Sequence, residues 1–264
     1  MNSDQVAPGG AFAGTAEYYS RFRPPYPRSL FSDLLLRAEV PDGGLLLDLG
    51  CGPGRVAIPL MRRFRGIWAV DPEPEMLDEG KRLAGPASNI SWIQSTAEDL
   101  IAPQGAFDLI TAGESFHRFD QRLVGRKSIG WLRPGCRLAL PYQVNFWPGE
   151  LEWQKAARGV VKLYRNNPSP PEPSVRDKRF ATFQEALPAI GFLDVCTHEF
   201  QSIHEWTVDS MIGYLYSTSI LSPRALGDHR AAFEADFRKA MGRLDSNGRF
   251  PESIRFGYVL GTRP

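Results

Sequence analysis

Apolar positions in the first half of the chain come in short blocks separated by stretches with helical spacing. Leu45–Leu49 is an apolar run, broken only by Asp48, that ends in Gly-x-Gly. Such a run predicts a parallel strand buried on both faces. Gly66–Val70, Ile90–Gln94, Phe107–Ala112 and Arg137–Tyr142 predict further strands. Between them, Arg55–Phe64, Pro74–Ala84 and Gln121–Leu132 predict helices, the second with proline at its favoured first position. Ser29–Arg37 predicts a short helix ahead of the first strand, and Ala16–Pro27 reads as an aromatic and basic approach ending in a turn. Strand–helix alternation over residues 1–145 predicts a parallel sheet with helices on both faces.

Beyond Tyr142 the pattern changes. Trp147–Tyr164 contains a helical stretch, Asn166–Ser174 (NNPSPPEPS) is a proline-rich loop in the position of a lid or a passive surface turn, and Thr182–Ile190 reads as a helix. Asp194–Phe200 predicts a strand, Val208–Thr218 and Pro223–Arg243 predict helices, and Ser253–Thr262 alternates as a terminal strand. The fold class expected is α/β: a doubly wound, mostly parallel seven-stranded sheet with a partly helical cap after the fifth strand. Residues 29–145 form the core of this division, and 146–264 supply the cap and the last strands of the same domain.

Composition narrows the class. Apolar residues make up 42% and charged residues 23%, which suits an ordinary globular domain and argues against disorder or coiled coil. No apolar run approaches the ~20 residues of a membrane helix. The segment MNSDQVAPGG lacks the basic-then-apolar order of a secretory signal, so a cytoplasmic location without membrane contact is expected. A net charge of +1 offers no basic excess for nucleic acid. The run Arg62, Arg63, Arg65 reads as a solvated helix end. Cys51, Cys136 and Cys196 are odd in number and form no C-x-x-C pair, so neither a disulfide framework nor a metal site is expected.

The chemistry concentrates where the first strand ends. In Asp48-Leu49-Gly50-Cys51-Gly52-Pro53-Gly54 a strand delivers the chain to a glycine-rich turn with a helix directly after it. The third glycine comes one position early for a dinucleotide G-x-G-x-x-G, and Arg55 stands where that pattern wants glycine. Asp48, two positions before the first glycine, can accept hydrogen bonds from an ammonium group, which S-adenosylmethionine (SAM) supplies and NAD lacks. A helix N-terminus after the turn would favour the ligand's carboxylate. Asp71 ends the next strand, 21 positions after Gly50, a spacing that suits two ribose hydroxyls. Pro72 and Met76 could flank ribose and adenine, or serve as turn and core. Ala97 and Glu98 in Ser95–Leu100 suit an adenine edge, although Glu98 and Asp99 read equally well as caps of the following turn. The strand Phe107–Ala112 ends at the carboxyl edge of the sheet, which places Gly113, Glu114, Phe116 and His117 toward a sulfonium and its acceptor.

These motifs resemble the class I SAM-dependent methyltransferases. DLGCGPG is similar to that family's glycine signature, Asp71 to its ribose acid, and Ala97-Glu98 to its adenine segment. Tyr19-x-x-x-Arg23-Pro24-x-Tyr26-Pro27 and Ser115-Phe116-His117-Arg118-Phe119-Asp120 resemble a small-molecule subgroup that includes trans-aconitate methyltransferases, with Arg118 where that subgroup commonly has tryptophan. The resemblance covers Ala16–Tyr142. It implies SAM as cofactor, S-adenosylhomocysteine as product, and residues 1–28 as an arm in which Tyr19 and Arg23 close the cofactor's methionine end. Cofactor contacts are expected from Tyr19, Arg23, Asp48, Gly50, Cys51, Gly52, Gly54, Asp71, Pro72, Met76, Ala97, Glu98, Gly113 and Glu114.

Methyl transfer needs alignment, and a base only for a weak protonated nucleophile. His117 is the first candidate base and Glu114 the second; loop hydrogen bonding is the alternative role for His117. Phe116, His117, Tyr142, Trp147 and Tyr214 are candidates for the acceptor site, against the alternative that such aromatics form core. The expected function is methylation of a small-molecule acceptor, a secondary metabolite or carboxylate, by a monomer or homodimer. RNA or protein methylation, a SAM-binding protein that does not methylate, and an NAD-dependent oxidoreductase are the competing readings.

Overall fold

A computed structural model describes residues 12–144, 147, 149–165, 183–245 and 247–264. Strands β1 (Gly44–Leu49), β2 (Phe64–Asp71), β3 (Ile90–Gln94), β4 (Phe107–Thr111), β5 (Leu132–Val144), β6 (Leu193–Thr207) and β7 (Arg249–Thr262) form one seven-stranded sheet. Their order is β3-β2-β1-β4-β5-β7-β6. The pairs β1–β2, β1–β4, β2–β3 and β4–β5 are parallel, and β5–β7 is antiparallel. The order walks outward from β1 in one direction and from β4 in the other. With right-handed crossovers, the connecting helices then fall on opposite faces, the doubly wound arrangement. β1 and β4 flank the point where the order reverses, and ligands bind at the carboxyl ends of strands there.

The parallel strands read as apolar because both faces are covered. Leu46, Leu47, Leu49, Ile67, Leu109 and Ile110 are fully buried. Asp48 and Thr111 are buried polar exceptions, and they are register partners across β1 and β4. Residues opposite each other in a pair project to the same face, so this register brings the two side chains together.

The chain divides into two compact units. The larger holds 25–144, 176–201 and 255–264. Besides most of the sheet it contains α2 (Arg28–Arg37), α3 (Ala57–Leu60), α4 (Pro74–Ala84), α5 (Gln121–Trp131) and the helical residues 183–190, here α7. The smaller holds 1–24, 145–175 and 202–254. It contains α1 (Ala16–Phe22), α6 (Glu152–Tyr164), α8 (Val208–Tyr216), α9 (Pro223–Leu226) and α10 (Arg230–Gly242).

Inside the smaller unit, Trp147, Trp153, Trp206, Tyr214 and Phe237 pack ring to ring. Phe22 of α1 lies so close to Gly213 of α8 that a Cβ there would meet its ring at 2.3 Å. Glu252 is buried and accepts hydrogen bonds from Trp206 Nε1 at 2.7 Å and Gln154 Nε2 at 2.9 Å. The Gln154 carbonyl oxygen in turn accepts the backbone N–H groups of Gly149, Glu150 and Leu151.

Several expected elements differ. The helix expected over Arg55–Phe64 shrinks to Ala57–Leu60, because Pro59 has no N–H for the ladder and β2 starts early at Phe64. A helix this short has little dipole, which removes the argument for an anion site at its N-terminus. Ala16–Phe22, expected as an irregular approach, is helical. Pro223–Arg243 is two helices split by a 3₁₀ turn at Gly227–His229, with Gly227 at φ 50°. The strands expected at Asp194–Phe200 and Ser253–Thr262 run longer, as β6 and β7. The proline-rich segment 166–174, Thr182 and residues 1–11 lie outside the described residues. No described helix is long and apolar enough to cross a membrane.

Candidate functional site

The glycine turn leaves β1 at the switch point, inside the larger unit. Gly50, Gly52 and Gly54 all have positive φ (62°, 52° and 86°), a region that costs other residues about 1–2 kcal/mol. Their surroundings differ. A Cβ on Gly50 would stand 2.5 Å from the Ser115 Cβ, and one on Gly54 would stand 2.8 Å from the Trp92 ring. A Cβ on Gly52 would meet nothing within 4 Å. Gly50 and Gly54 are therefore required by packing, and Gly52 faces open space. Ser115 closes the turn from β4 by donating to the Leu49 carbonyl at 2.7 Å. The Cys51 N–H donates to the Val70 carbonyl, tying the turn to β2.

Two buried carboxylates flank the turn. Asp48 is 1% exposed. One of its oxygens accepts from Thr111 Oγ1 at 2.7 Å, and Oδ2 has no hydrogen-bond partner among the described residues. Burial pushes its pKa up to about 7, against the opposing hydrogen bonds from Thr111 and the Ala57 backbone and with a further push from Asp71. Asp71 is 8% exposed. Its oxygens accept from the Gly52 N–H at 2.8 Å and the Glu73 N–H at 3.0 Å. Burial raises its pKa too, and the two backbone N–H groups and the Arg118 charge pull it down. The Cys51 thiol, buried beside both carboxylates, is held well above the ordinary thiol value by burial and then by their charge, so it is no nucleophile at neutral pH. The arrangement offers two desolvated carboxylates beside a turn whose Gly52 faces open space, a set that suits a ligand carrying an ammonium group and vicinal hydroxyls.

The remaining expected residues fall into distinct surroundings. Pro72 follows Asp71 and its carbonyl accepts from Gln94 Nε2, while Met76 is buried in α4. Ala97 is buried; the Glu98 carboxylate accepts the Asp120 N–H at 2.8 Å, and its carbonyl accepts from Lys127. Gly113 sits under the Tyr26 hydroxyl, which would be 3.2 Å from a Cβ there. Glu114 adopts φ 53° and is tied to β5 twice, through its N–H to the Pro141 carbonyl and through its carboxylate, which accepts the Gln143 N–H at 2.7 Å. Phe116 is buried against Phe119 and Phe183, whereas His117 on the same 3₁₀ turn is exposed. Tyr142 is buried and its hydroxyl reaches Glu199 at 3.5 Å. Tyr19, Arg23, Trp147 and Tyr214 belong to the smaller unit. There the Arg23 guanidinium stacks 4.5 Å from the Tyr19 ring and 4.8 Å from the Tyr214 ring, with Nε donating to Ser217 Oγ at 2.8 Å. Trp147 is 2% exposed within the aromatic cluster.

Sequence reasoning assigned no role to Thr111, Ser115, Tyr26 or Arg55. The Arg55 guanidinium lies 4.8 Å from the Tyr26 ring centre, and Tyr26 is buried against Phe31 and Phe256. Tyr26 stood within the arm motif, so its presence was a signal. Thr111 could be found only through the register of β4 on β1.

Residues 46–135 match the family described as a methyltransferase domain. An uncharacterized methyltransferase of Mycobacterium tuberculosis is 33% identical over 135 residues, 51% of this chain and 53% of that protein. The chain thus spans about half the length of the curated relatives it matches there. Among solved structures, a candidate type II methyltransferase from Anaeromyxobacter dehalogenans shares the fold with a TM-score of 0.59 at 24% identity, over 91% of this chain and 97% of that one. Phosphoethanolamine N-methyltransferase 2 of Haemonchus contortus, in complex with SAM, has a TM-score of 0.53 at 16% identity, over 97% of this chain and 57% of that one. Residues 46–135 are thus similar to a methyltransferase domain, and the chain has the Rossmann-like fold of the methyltransferase structures it resembles.

Proposed function

We propose that this chain transfers the methyl group of SAM to a small-molecule acceptor. The observation that carries the reading is the pair of buried carboxylates, Asp48 and Asp71, beside a glycine turn whose Gly52 faces open space. Bound SAM supplies a methyl group activated by its sulfonium. Asp48 takes the ammonium group with the oxygen that Thr111 leaves free. Asp71 takes the ribose hydroxyls, its carboxylate already aimed by Gly52 and Glu73. Gly50, Cys51 and Gly54 shape the turn, Pro72 and Met76 flank ribose and adenine, and Ala97 and Glu98 line the adenine edge. Gly113 and Glu114 border the sulfonium.

On the acceptor side, exposed His117 is the base where one is needed. Glu114 ranks second because its carboxylate already holds the Gln143 N–H. Phe116 and Tyr142 supply apolar walls, and the arm motif Tyr19–Pro27 favours the small-molecule subgroup with carboxylate-bearing acceptors. Incubation with methyl-tritiated SAM and a soluble cell extract, then fractionation and mass spectrometry, tests the reading. Label in small molecules is expected. Label confined to RNA or protein overturns the acceptor class, and SAM binding without transfer to any fraction overturns the activity.

A further inference from the structure

Gln143 is the penultimate residue of β5, on the same sheet edge as the glycine turn and Gly113. Its backbone is fixed by the Glu114 carboxylate at 2.7 Å, and Glu114 holds a left-handed conformation to make that bond. Yet Nε2 of its side chain is buried without a hydrogen-bond partner among the described residues. Buried donors are paired in the great majority of cases, and an orphan is retained where something other than stability keeps it.

The register shows what the carboxamide sits near. Gln143 lies opposite Phe256 across β5–β7, so the two side chains share a face. The Tyr26 ring packs on Phe256, and its hydroxyl meets the carbonyl of Pro141, two residues back along β5. The same hydroxyl covers Gly113 at the end of β4. Asp48 is level with Thr111 and Ala139, so Gln143 lies two strands across and four residues further along, about 16 Å from Asp48 at the usual strand dimensions. The cofactor's polar ends are already matched by Asp48 and Asp71 on β1 and β2, which leaves the β5 donor for the other reactant.

We propose that Gln143 determines acceptor specificity by donating a hydrogen bond from Nε2 to a carboxylate or carbonyl oxygen of the small molecule. The assignment rests on the methyl-transfer reading above. Gln143→Met keeps the length of the side chain and removes the donor. Without ligand, the variant should melt about 2–4 °C higher, because an orphan donor has gone from the interior. Its affinity for SAM by calorimetry should be unchanged. Its initial rate of tritium transfer into the small-molecule fraction of a soluble cell extract should fall about 10- to 100-fold. A variant that melts lower, or that labels small molecules at the wild-type rate, overturns the Gln143 assignment alone. A wild-type protein that labels no small molecule overturns the reading beneath it, while the melting shift still reports on the donor.

Discussion

Replacing Asp48 by Asn should stabilise the ligand-free protein at alkaline pH and weaken SAM binding at the same time. The carboxyl group is 1% exposed, with one oxygen held by Thr111 and the other unpartnered among the described residues. Burial lifts its pKa from 3.8 to about 7. A raised carboxyl pKa means that the folded state keeps a proton that the unfolded chain gives up. Its contribution is therefore full below pH 3.8, declines between 3.8 and about 7, and is lost above that. Over about 3 pH units at about 1.4 kcal/mol each, the loss is about 4 kcal/mol. Asn cannot ionise, so it escapes this loss, but its NH₂ group lands where Oδ2 had no partner, a cost of about 1–3 kcal/mol. The variant should be about 1–3 kcal/mol more stable than wild type at pH 8 and no more stable at pH 4. Urea unfolding of both proteins at the two pH values reads the difference directly. Glu252 also titrates with a raised pKa, but both proteins share it, so the difference reports position 48 together with its coupling to Asp71. A variant less stable than wild type at pH 8, or one with the wild-type pH slope, would refute the picture of a desolvated carboxylate. SAM affinity measured by calorimetry should fall more than tenfold, because the ammonium partner has lost its charge.

Asp71→Ala should weaken SAM binding by well over tenfold in calorimetry, and unchanged affinity would move the ribose elsewhere. Gly50→Ala should cost markedly more stability than Gly52→Ala in thermal melts, since only the former meets Ser115 at 2.5 Å, while Gly52→Ala should cost about 1 kcal/mol and still impair SAM binding. His117→Ala should cut turnover while leaving SAM affinity and melting temperature nearly unchanged, as suits an exposed side chain; equal turnover would make it structural. Glu252→Ala should destabilise by about 2–5 kcal/mol in urea unfolding, because it strands the buried Trp206 and Gln154 donors; a loss under about 1 kcal/mol would show that water replaces the carboxylate.

The local chemistry of this protein was legible from sequence wherever neighbours in the chain are neighbours in space. The turn at Asp48–Gly54 announces itself because a strand, three glycines and an acid lie within a few residues, and Asp71 because strand and helix lengths set its distance from that turn. The alternation of apolar runs and helical spacing likewise implies a doubly wound sheet. Tertiary structure decided what depends on residues far apart. Thr111 reaches Asp48 across 63 positions through the pairing of β4 with β1. The Glu114 carboxylate, a free base on paper, is held by the β5 backbone. Pro59 and the early start of β2 cut α3 to four residues, which no periodicity revealed. The smaller unit joins residues 1–24 to 145–175 and 202–254, and its core absorbs Trp147 and Tyr214, aromatics whose pattern suits core and pocket alike. Periodicity records which side of an element is apolar; what that side meets is set by packing between segments that the chain holds far apart.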